Sequence, residues 1–402
     1  MSILVFNAGS SSLKFGLFEE TSSETVASGY IDWASGDRNH AAFRFRGPDG
    51  EQTCTEAAVP DDHAATWCAI DALRALKRTL PCPWSPVEVI GHRVVHCGAD
   101  FSKSVPIDGE VKATIARWSK LAPLHNPPTM EVICAAEAAL PEAMQVAVFD
   151  TAFAAQMPPR AYLYPVPYQW HKDWGVRRFG FHGISHQYVT QRAADMLGRD
   201  IKQLRIVSCH LGGGCSAVAV QGGVPVATTM GFTPLEGLMM GTRPGSIDAG
   251  VIIYLEQCCR LSPEQIHDAL NHDSGLLGVS GVSPDIAKIE ISAKQGNPRA
   301  QLALEMFADR VRSAIGSLTV TMGGVDVLLF TDRVGENSAT VRAMICERLD
   351  CLGLRLDPRH NAECQPDADL SVEKSQGRIL VIRTHEEWMI AREAIRVKRQ
   401  AA

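Results

Sequence analysis

The chain has 402 residues, of which 46% are apolar and 21% charged, and its formal net charge is −6. This length exceeds what one ordinary hydrophobic core accommodates, so we expect two domains of a soluble globular protein. The negative charge argues against a nucleic-acid partner, and no apolar run reaches the roughly 20 residues that span a bilayer. The N-terminus lacks the basic start of a signal peptide, so we expect a cytoplasmic protein with no membrane partner.

The first predicted element is a hairpin. Residues 3–6 and 13–18 are apolar runs that predict two strands, and the small polar residues 7–12 predict the turn between them. Such a turn usually only closes a hairpin. Asn7 begins it beside hydroxyl groups, however, and is suited to contact a phosphate oxygen or a metal-bound water.

The next part of the chain is less informative until Arg93. Residues 19–60 are polar and predict no particular element, whereas apolar positions at helical spacing predict a helix over 64–80. Residues 87–90 predict a buried strand that leads to Arg93, which glycines bracket. An arginine at a strand end is more often a surface residue, but two nearby histidines favour a functional site here.

Two further candidates follow. A proline-bounded loop over 121–128 holds His125 before a predicted helix from 129 to about 140. Residues 146–149 predict a buried strand with Asp150 at its carboxyl end, the edge where ligands bind in open α/β sheets. Capping of the next turn is the alternative role for Asp150.

A zinc site is not expected. Residues 156–178 predict a long irregular loop, which leads to His182 and His186. These histidines have the spacing of zinc ligands on a helix, but no Glu follows His182, and Gly183 places His182 before the helix. The 12 cysteines contain no C-x-x-C pair, so we interpret them as reduced thiols.

The stretch from 205 to 248 carries a second hairpin. Residues 206–209 and 217–220 predict strands that flank three consecutive glycines at 212–214. Because glycine lets backbone amides approach an anion, this turn can hold a phosphate, although a tight turn without a ligand is the alternative. The two hairpins predict two domains of one topology, each presenting a phosphate turn to a shared cleft.

The continuation of this stretch favours the ligand. Glycine and proline crowd residues 231–248 too densely for a helix, and Arg243 lies there between Gly241 and Gly245. We interpret this segment as an anion-binding loop that faces the glycine turn.

The C-terminal part is predicted to contain helices, strands and two loops. The helices cover 250–270, 298–322, 338–349 and 386–397, and the strands cover 325–330 and 379–382. Loops are predicted over 275–285 and 331–337, and the second points backbone amides at the cleft.

These residues together resemble one family, the acetate and propionate kinases. The resemblance spans residue 3 to about residue 396 and is weakest over 19–85. The segments that match the family most clearly are 7–14, 91–96, 121–128, 148–153, 179–186, 205–248 and 275–281. It implies an α/β fold of duplicated ribonuclease H-like domains, as in actin, hexokinase and the sugar kinases, around a central cleft. The first domain would be 1–150 joined by the C-terminal helix 386–402, and the second 151–385, carrying the nucleotide and the dimer interface.

The resemblance also implies an activity and its residues. ATP and acetate would give ADP and acetyl phosphate in a homodimer that uses Mg²⁺, or Mn²⁺ in its place. The reacting centre would be lined by Arg93, Asp150, His182 and Arg243. The acetate would contact Arg93, Val95, Leu124, Phe181 and Pro234. The metal or its waters would contact Asn7 and Glu386. Phosphate and nucleotide would contact Lys14, His125, His210, Gly212, Gly213, Gly214, Asp285, Arg333, Val334, Gly335 and Asn337.

The chemistry agrees with these roles. Acetate is ionised near neutral pH, so the reaction needs no general base. The difficulty is to bring one anion against another, and two arginines, Mg²⁺ and a histidine offset that repulsion. Asp150 is therefore expected to orient an arginine or a metal-bound water.

The sequence departs from the family pattern on the nucleotide side. Gly213 replaces an Asn, Ala287 replaces an Arg, and Asp332 and Arg333 replace Ala and Gly. We expect Arg333 to substitute for the arginine missing at 287, with Asp332 orienting it, and the alternative is that Arg333 points to solvent. Propionate as acceptor, pyrophosphate as donor and a non-catalytic regulator remain the alternative functions.

Overall fold

Two sheets organise the chain, which the computed structural model describes over residues 1–9, 11–33, 36–79 and 85–401. Each sheet belongs to one compact unit: Met1–Ala152 with His385–Ala402, and Phe153–Thr384. Ser10 of the first predicted turn and Leu80 of the first predicted helix lie outside the described residues.

The strands and helices have the following bounds. The strands are β1 (Ser2–Ala8), β2 (Ser12–Glu19), β3 (Thr25–Asp32), β4 (Ala41–Arg46), β5 (Gln52–Ala57), β6 (Val87–Val94), β7 (Val105–Pro106), β8 (Met144–Phe149), β9 (Arg205–Leu211), β10 (Cys215–Gln221), β11 (Val224–Thr228), β12 (Val327–Thr331), β13 (Ala368–Asp369) and β14 (Arg378–Val381). The helices are α1 (Asp62–Thr79), α2 (Gly109–Trp118), α3 (Asn126–Ala139), α4 (Pro159–Tyr162), α5 (Tyr168–Trp174), α6 (Gly183–Leu197), α7 (Ala249–Gln257), α8 (Pro263–His272), α9 (Gly275–Ser280), α10 (Ile286–Lys294), α11 (Pro298–Thr321), α12 (Asp332–Asn337), α13 (Ala339–Cys346), α14 (Pro358–Ala362) and α15 (Glu386–Ala401). No described helix is long and apolar enough to cross a membrane.

The two sheets share one topology. Their strand orders are β5-β4-β3-β2-β1-β6-β8-β7 and β11-β10-β9-β12-β14-β13. In both, an antiparallel meander (β3-β2-β1 and β11-β10-β9) is continued by two parallel strands and closed by a short antiparallel one. The predicted α/β class, the two hairpins and the duplicated ribonuclease H-like arrangement are confirmed.

The strands β3, β4 and β5 correct the prediction for residues 19–60. The signal was present, because Phe43 and Phe45 alternate with Arg44 and Arg46 as in a half-buried strand. Both phenylalanines pack against the core of the first unit, where their rings lie 6.3 and 6.2 Å from that of Phe15. The polar outward residues lowered the average hydropathy and masked this alternation.

Four predicted segments of the second unit differ from the prediction in their helices. The single helix expected over 250–270 is two helices, because Ser262 starts α8 with a capping box and Pro263 occupies its first turn. The loop expected over 275–285 contains α9, and the loop expected over 331–337 is α12. The predicted irregular loop over 156–178 likewise contains α4 and α5.

The last helix belongs to the first unit. α15 packs on β1 and β6. The contact is close at Gly91, where an added Cβ would lie 2.7 Å from the Cγ2 atom of Ile390. Only glycine therefore allows this approach, and it brings the start of α15 to the end of β1.

Candidate active site

Arg93 and Asp150 form a buried ion pair in the first unit. β6 and β8 are parallel neighbours with Arg93 opposite Val148, so both side chains project from one end of the sheet. The Nη2 and Nε atoms of Arg93 lie 2.6 and 3.1 Å from Oδ2 of Asp150. The side chains are 17% and 1% exposed. Burial lowers the pKa of Arg93, but neighbouring carboxylates, chiefly Asp150, raise it by more, so it lies above its usual value.

One oxygen of Asp150 is unused. Both contacts from Arg93 end on Oδ2, and the buried Oδ1 atom has no hydrogen-bond partner within the described part of the chain. A buried carboxylate oxygen without a partner is costly, so it is a natural contact point for a ligand or a bound water. The predicted orienting role for Asp150 agrees with this geometry.

Asn7 and the start of α15 complete the group in the first unit. Nη1 of Arg93 donates to Oδ1 of Asn7 over 3.1 Å, and Nδ2 of Asn7 donates to Oε2 of Glu386 and Oε1 of Glu387, each over 3.3 Å. The structure thus adds Glu387 to the predicted pair of Asn7 and Glu386.

The carboxylate oxygen atoms of Asp150, Glu386 and Glu387 fit Mg²⁺. No described cluster of three or more His, Cys, Asp or Glu side chains is arranged to hold a metal ion. Mg²⁺ on a nucleotide is held by one or two carboxylates together with waters and substrate phosphates, which matches the glutamates beside Asn7 and the free Oδ1 atom of Asp150.

In the second unit, Arg243 and His182 flank the glycine turn between β9 and β10. A Cβ added at Gly214 would lie 2.8 Å from Nη2 of Arg243 and 3.2 Å from Nε2 of His182. Nη1 of Arg243 donates to the carbonyl oxygen of Pro234 over 2.6 Å. No carboxylate among the described residues forms an ion pair with Arg243, and burial lowers its pKa. A partly buried cation without a counterion is suited to an anionic ligand.

His182 is held in an unusual backbone conformation. It precedes α6 with φ of 57°, in the left-handed region that non-glycine residues seldom adopt. Its Nδ1 atom lies 2.9 Å from Oγ of Ser216, and its ring stacks on that of His210 at 4.2 Å between centroids. His186 is instead part of the core: its ring nitrogens lie 2.8 Å from the hydroxyls of Ser208 and Ser216, and burial holds its pKa well below its usual value.

His210 is already engaged by two side chains. Its Nδ1 atom lies 2.9 Å from Oγ of Ser185, and its Nε2 atom lies 3.3 Å from Oδ2 of Asp332. The same carboxylate covers Gly212, where an added methyl group would overlap it. At Gly213 an added Cβ would meet no atom within 4 Å, so the missing asparagine leaves open space.

Arg333 pairs with Asp285 and not with Asp332. Its Nη2 atom lies 3.4 Å from Oδ2 of Asp285, and Oδ1 of Asp285 accepts from the backbone N–H of Ala287 over 2.9 Å. Arg333, whose side chain is 64% exposed, thus reaches the residue that precedes α10, and its substitution for the missing arginine stays a prediction. The prediction that Asp332 orients it is wrong, because Asp332 contacts His210 instead.

The remaining predicted residues have varied environments. Val95 and Phe181 are buried, whereas Leu124 is 56% exposed just before His125, which precedes α3. Lys14 is exposed on β2, opposite Asn7 in the register. Within α12, Val334 and Gly335 are buried, and Nδ2 of Asn337 donates to the carbonyl oxygen of Arg333 over 2.7 Å. Asn337 thus serves its own helix.

Several functional contacts could not be foreseen from the sequence. The hydroxyls of Ser185 and Ser216 orient histidines of the site, and nothing in a single serine signals such a role. Glu387 could have been noticed, because it adjoins Glu386 at the start of a predicted helix. The contact between Asp332 and His210 depends on how α12 meets β9, and no local pattern encodes it.

Comparison with known proteins identifies relatives over the whole chain. The sequence model of the acetokinase family matches residues 2–392. A protein named acetate kinase from Gloeobacter violaceus is 45% identical over 402 residues, which cover 98% of each chain. The crystal structure of Porphyromonas gingivalis acetate kinase matches with a TM-score of 0.91 and 38% identity over 99% of both chains. A propionate kinase from Francisella tularensis matches with a TM-score of 0.90 and 35% identity over 98% of this chain and 99% of its own.

Proposed function

The chain belongs to the acetokinase family, and we propose that it transfers the γ-phosphoryl group of ATP to acetate, reversibly and in one in-line step that depends on Mg²⁺. Membership makes it a phosphotransferase whose acceptor is a carboxyl group. The observation that carries the proposal is Arg243, a guanidinium at a glycine turn beside His182 that has no carboxylate partner among the residues the structure describes.

The proposed step forms one bond and breaks one. A carboxylate oxygen of acetate attacks the γ-phosphorus, and the bond from that phosphorus to the oxygen bridging to the β-phosphate breaks, leaving its electrons on ADP. Arg243 and His182 donate to the equatorial oxygens of the transferring group, whose charge must be stabilised. Arg93 binds the acetate carboxylate, and Asp150 fixes the direction in which its guanidinium points.

The metal would be held in the first unit. Asn7, Glu386 and the free oxygen of Asp150 would bind Mg²⁺ or its waters, and Mn²⁺ accepts the same hard ligands. The ion would neutralise charge on the nucleotide phosphates.

The homodimer and the cytoplasmic location remain predictions. The dimer is supported by α7 of the second unit, which has no buried residue. Its apolar side chains Val251, Ile253 and Tyr254 are 44%, 52% and 60% exposed. A row of exposed apolar side chains on one helix is typical of a surface that another chain covers.

A hydroxamate assay for acyl phosphate tests the proposed function. ATP with acetate is expected to give product in a Mg²⁺-dependent reaction, and acetate is expected to have a higher kcat/KM than propionate. The match to a propionate kinase makes propionate the second candidate acceptor. Because one methylene is worth only about 1–3 kcal/mol, partial activity on propionate is expected. If pyrophosphate gives product and ATP does not, pyrophosphate replaces ATP as the proposed donor. If neither gives product, the better proposal is a non-catalytic binding protein.

Arg333→Ala is expected to raise the KM for ATP several-fold while the KM for acetate stays within about twofold. The reason is that Arg333 provides the cation beside Asp285 and the alanine at 287 provides none. Steady-state kinetics with each substrate varied in turn measures both values.

The double variant Arg333→Ala/Ala287→Arg is the control for this prediction. The arginine introduced at 287, on α10, supplies a guanidinium beside Asp285 again and should restore the KM for ATP. If Arg333→Ala lowers the KM for ATP instead, the side chain obstructs the donor, and a smaller donor becomes the better proposal.

A further inference from the structure

The carboxylate of Asp332 lies against the glycine turn of the second unit, directly over Gly212. We propose that Asp332 occupies this position as an internal competitor, so that a nucleotide phosphate must displace it, and that Asp332 thereby weakens nucleotide binding. The inference rests on the proposed function, because that function assigns the turn to the phosphates of ATP.

The first argument is the place of the carboxylate. Its Oδ2 atom lies directly over Gly212, in space that any side chain at residue 212 would need. Glycine in such a turn allows an anion to approach the backbone closely. Here the approaching anion is part of the chain itself.

The second argument is the surroundings of His210. Its Nε2 atom lies 3.3 Å from Oδ2 of Asp332. Its Nδ1 atom lies 2.9 Å from Oγ of Ser185. Both ring nitrogens therefore lie beside side chains of the protein, and a phosphate oxygen that approaches Nε2 of His210 meets the carboxylate of Asp332.

The third argument is that Asp332 is held in place but can leave. Its backbone has φ of 62°, a left-handed conformation that Asp tolerates better than most residues. Its backbone N–H donates to Oε1 of Glu336 over 3.1 Å, which fixes the start of α12. The side chain is 30% exposed, and Arg333 is paired with Asp285, so the carboxylate has its only close polar contact among the described residues with His210.

Two substitutions test the inference by direct titration of ATP in a calorimeter. Asp332→Asn removes the charge and keeps the shape, and Asp332→Gly also removes the side chain and suits the left-handed backbone. Because two like charges at contact distance oppose each other strongly, the dissociation constant for ATP should fall by about tenfold in Asp332→Gly and by a smaller factor in Asp332→Asn. The KM for acetate should stay within about twofold.

Asp309→Asn is the matched control. It removes the same charge from the same unit, at a side chain that is 70% exposed on α11, and should leave ATP binding unchanged. If both Asp332 variants bind ATP as weakly as the wild type or more weakly, and the wild type is active, the inference about Asp332 is overturned while the proposed function stands. If Asp332→Gly fails to fold, Asp332→Asn decides the result. A wild-type protein that neither binds ATP nor forms acyl phosphate would instead overturn the proposed function.

Discussion

Arg243→Ala is expected to slow acyl phosphate formation by at least about 10²-fold, the loss typical when a donor to transition-state charge is removed. Arg243 approaches the glycine turn with a guanidinium that no described carboxylate neutralises. Among the described residues its side chain makes one hydrogen bond, to the carbonyl oxygen of Pro234. The free energy of unfolding should therefore fall by no more than about 1 kcal/mol.

Two further variants control this prediction. Arg243→Lys keeps the charge but loses the planar fork, so its activity should lie between that of Arg243→Ala and the wild type. Arg192→Ala removes a surface arginine whose side chain is 44% exposed and should leave activity unchanged. Less than a fivefold loss in Arg243→Ala would remove Arg243 from the proposed site.

Arg93→Ala is expected to lose both activity and stability. Activity should fall by at least about 10²-fold, because the proposed acetate contact disappears. The free energy of unfolding should fall by about 3–5 kcal/mol, because Asp150, at 1% exposure, loses its counterion. Denaturant titration followed by circular dichroism measures the loss of stability.

The double variant Arg93→Ala/Asp150→Ala separates the two effects. Removing the stranded carboxylate should recover most of the lost stability, while activity remains at the level of Arg93→Ala. Equal stability of Arg93→Ala and the wild type would show that the ion pair contributes nothing to the fold. Recovery of activity in the double variant would contradict the proposed binding of acetate by Arg93.

Local patterns in the sequence determined the fold class and the family, and they predicted the outline of the site. Buried runs of apolar residues mark strands, and residues such as Arg93 and Asp150 that follow these runs lie at strand ends because the chain must leave the sheet there. Consecutive glycines at 212–214 mark a turn, which we propose to hold a phosphate. These features depend on residues near one another in the chain, so the sequence alone expresses them.

Packing between elements distant in the chain decided which side chains contact each other, and the sequence could not show these contacts. Asn7 and Glu386, 379 positions apart, are hydrogen-bonded because α15 returns to β1. Asp332 reaches His210 only because α12 begins beside the glycine turn, and for that reason it does not orient Arg333. The partner of a side chain depends on distances of a few ångströms between elements distant in sequence. Local periodicity carries no information about those distances, so only the tertiary structure decided them.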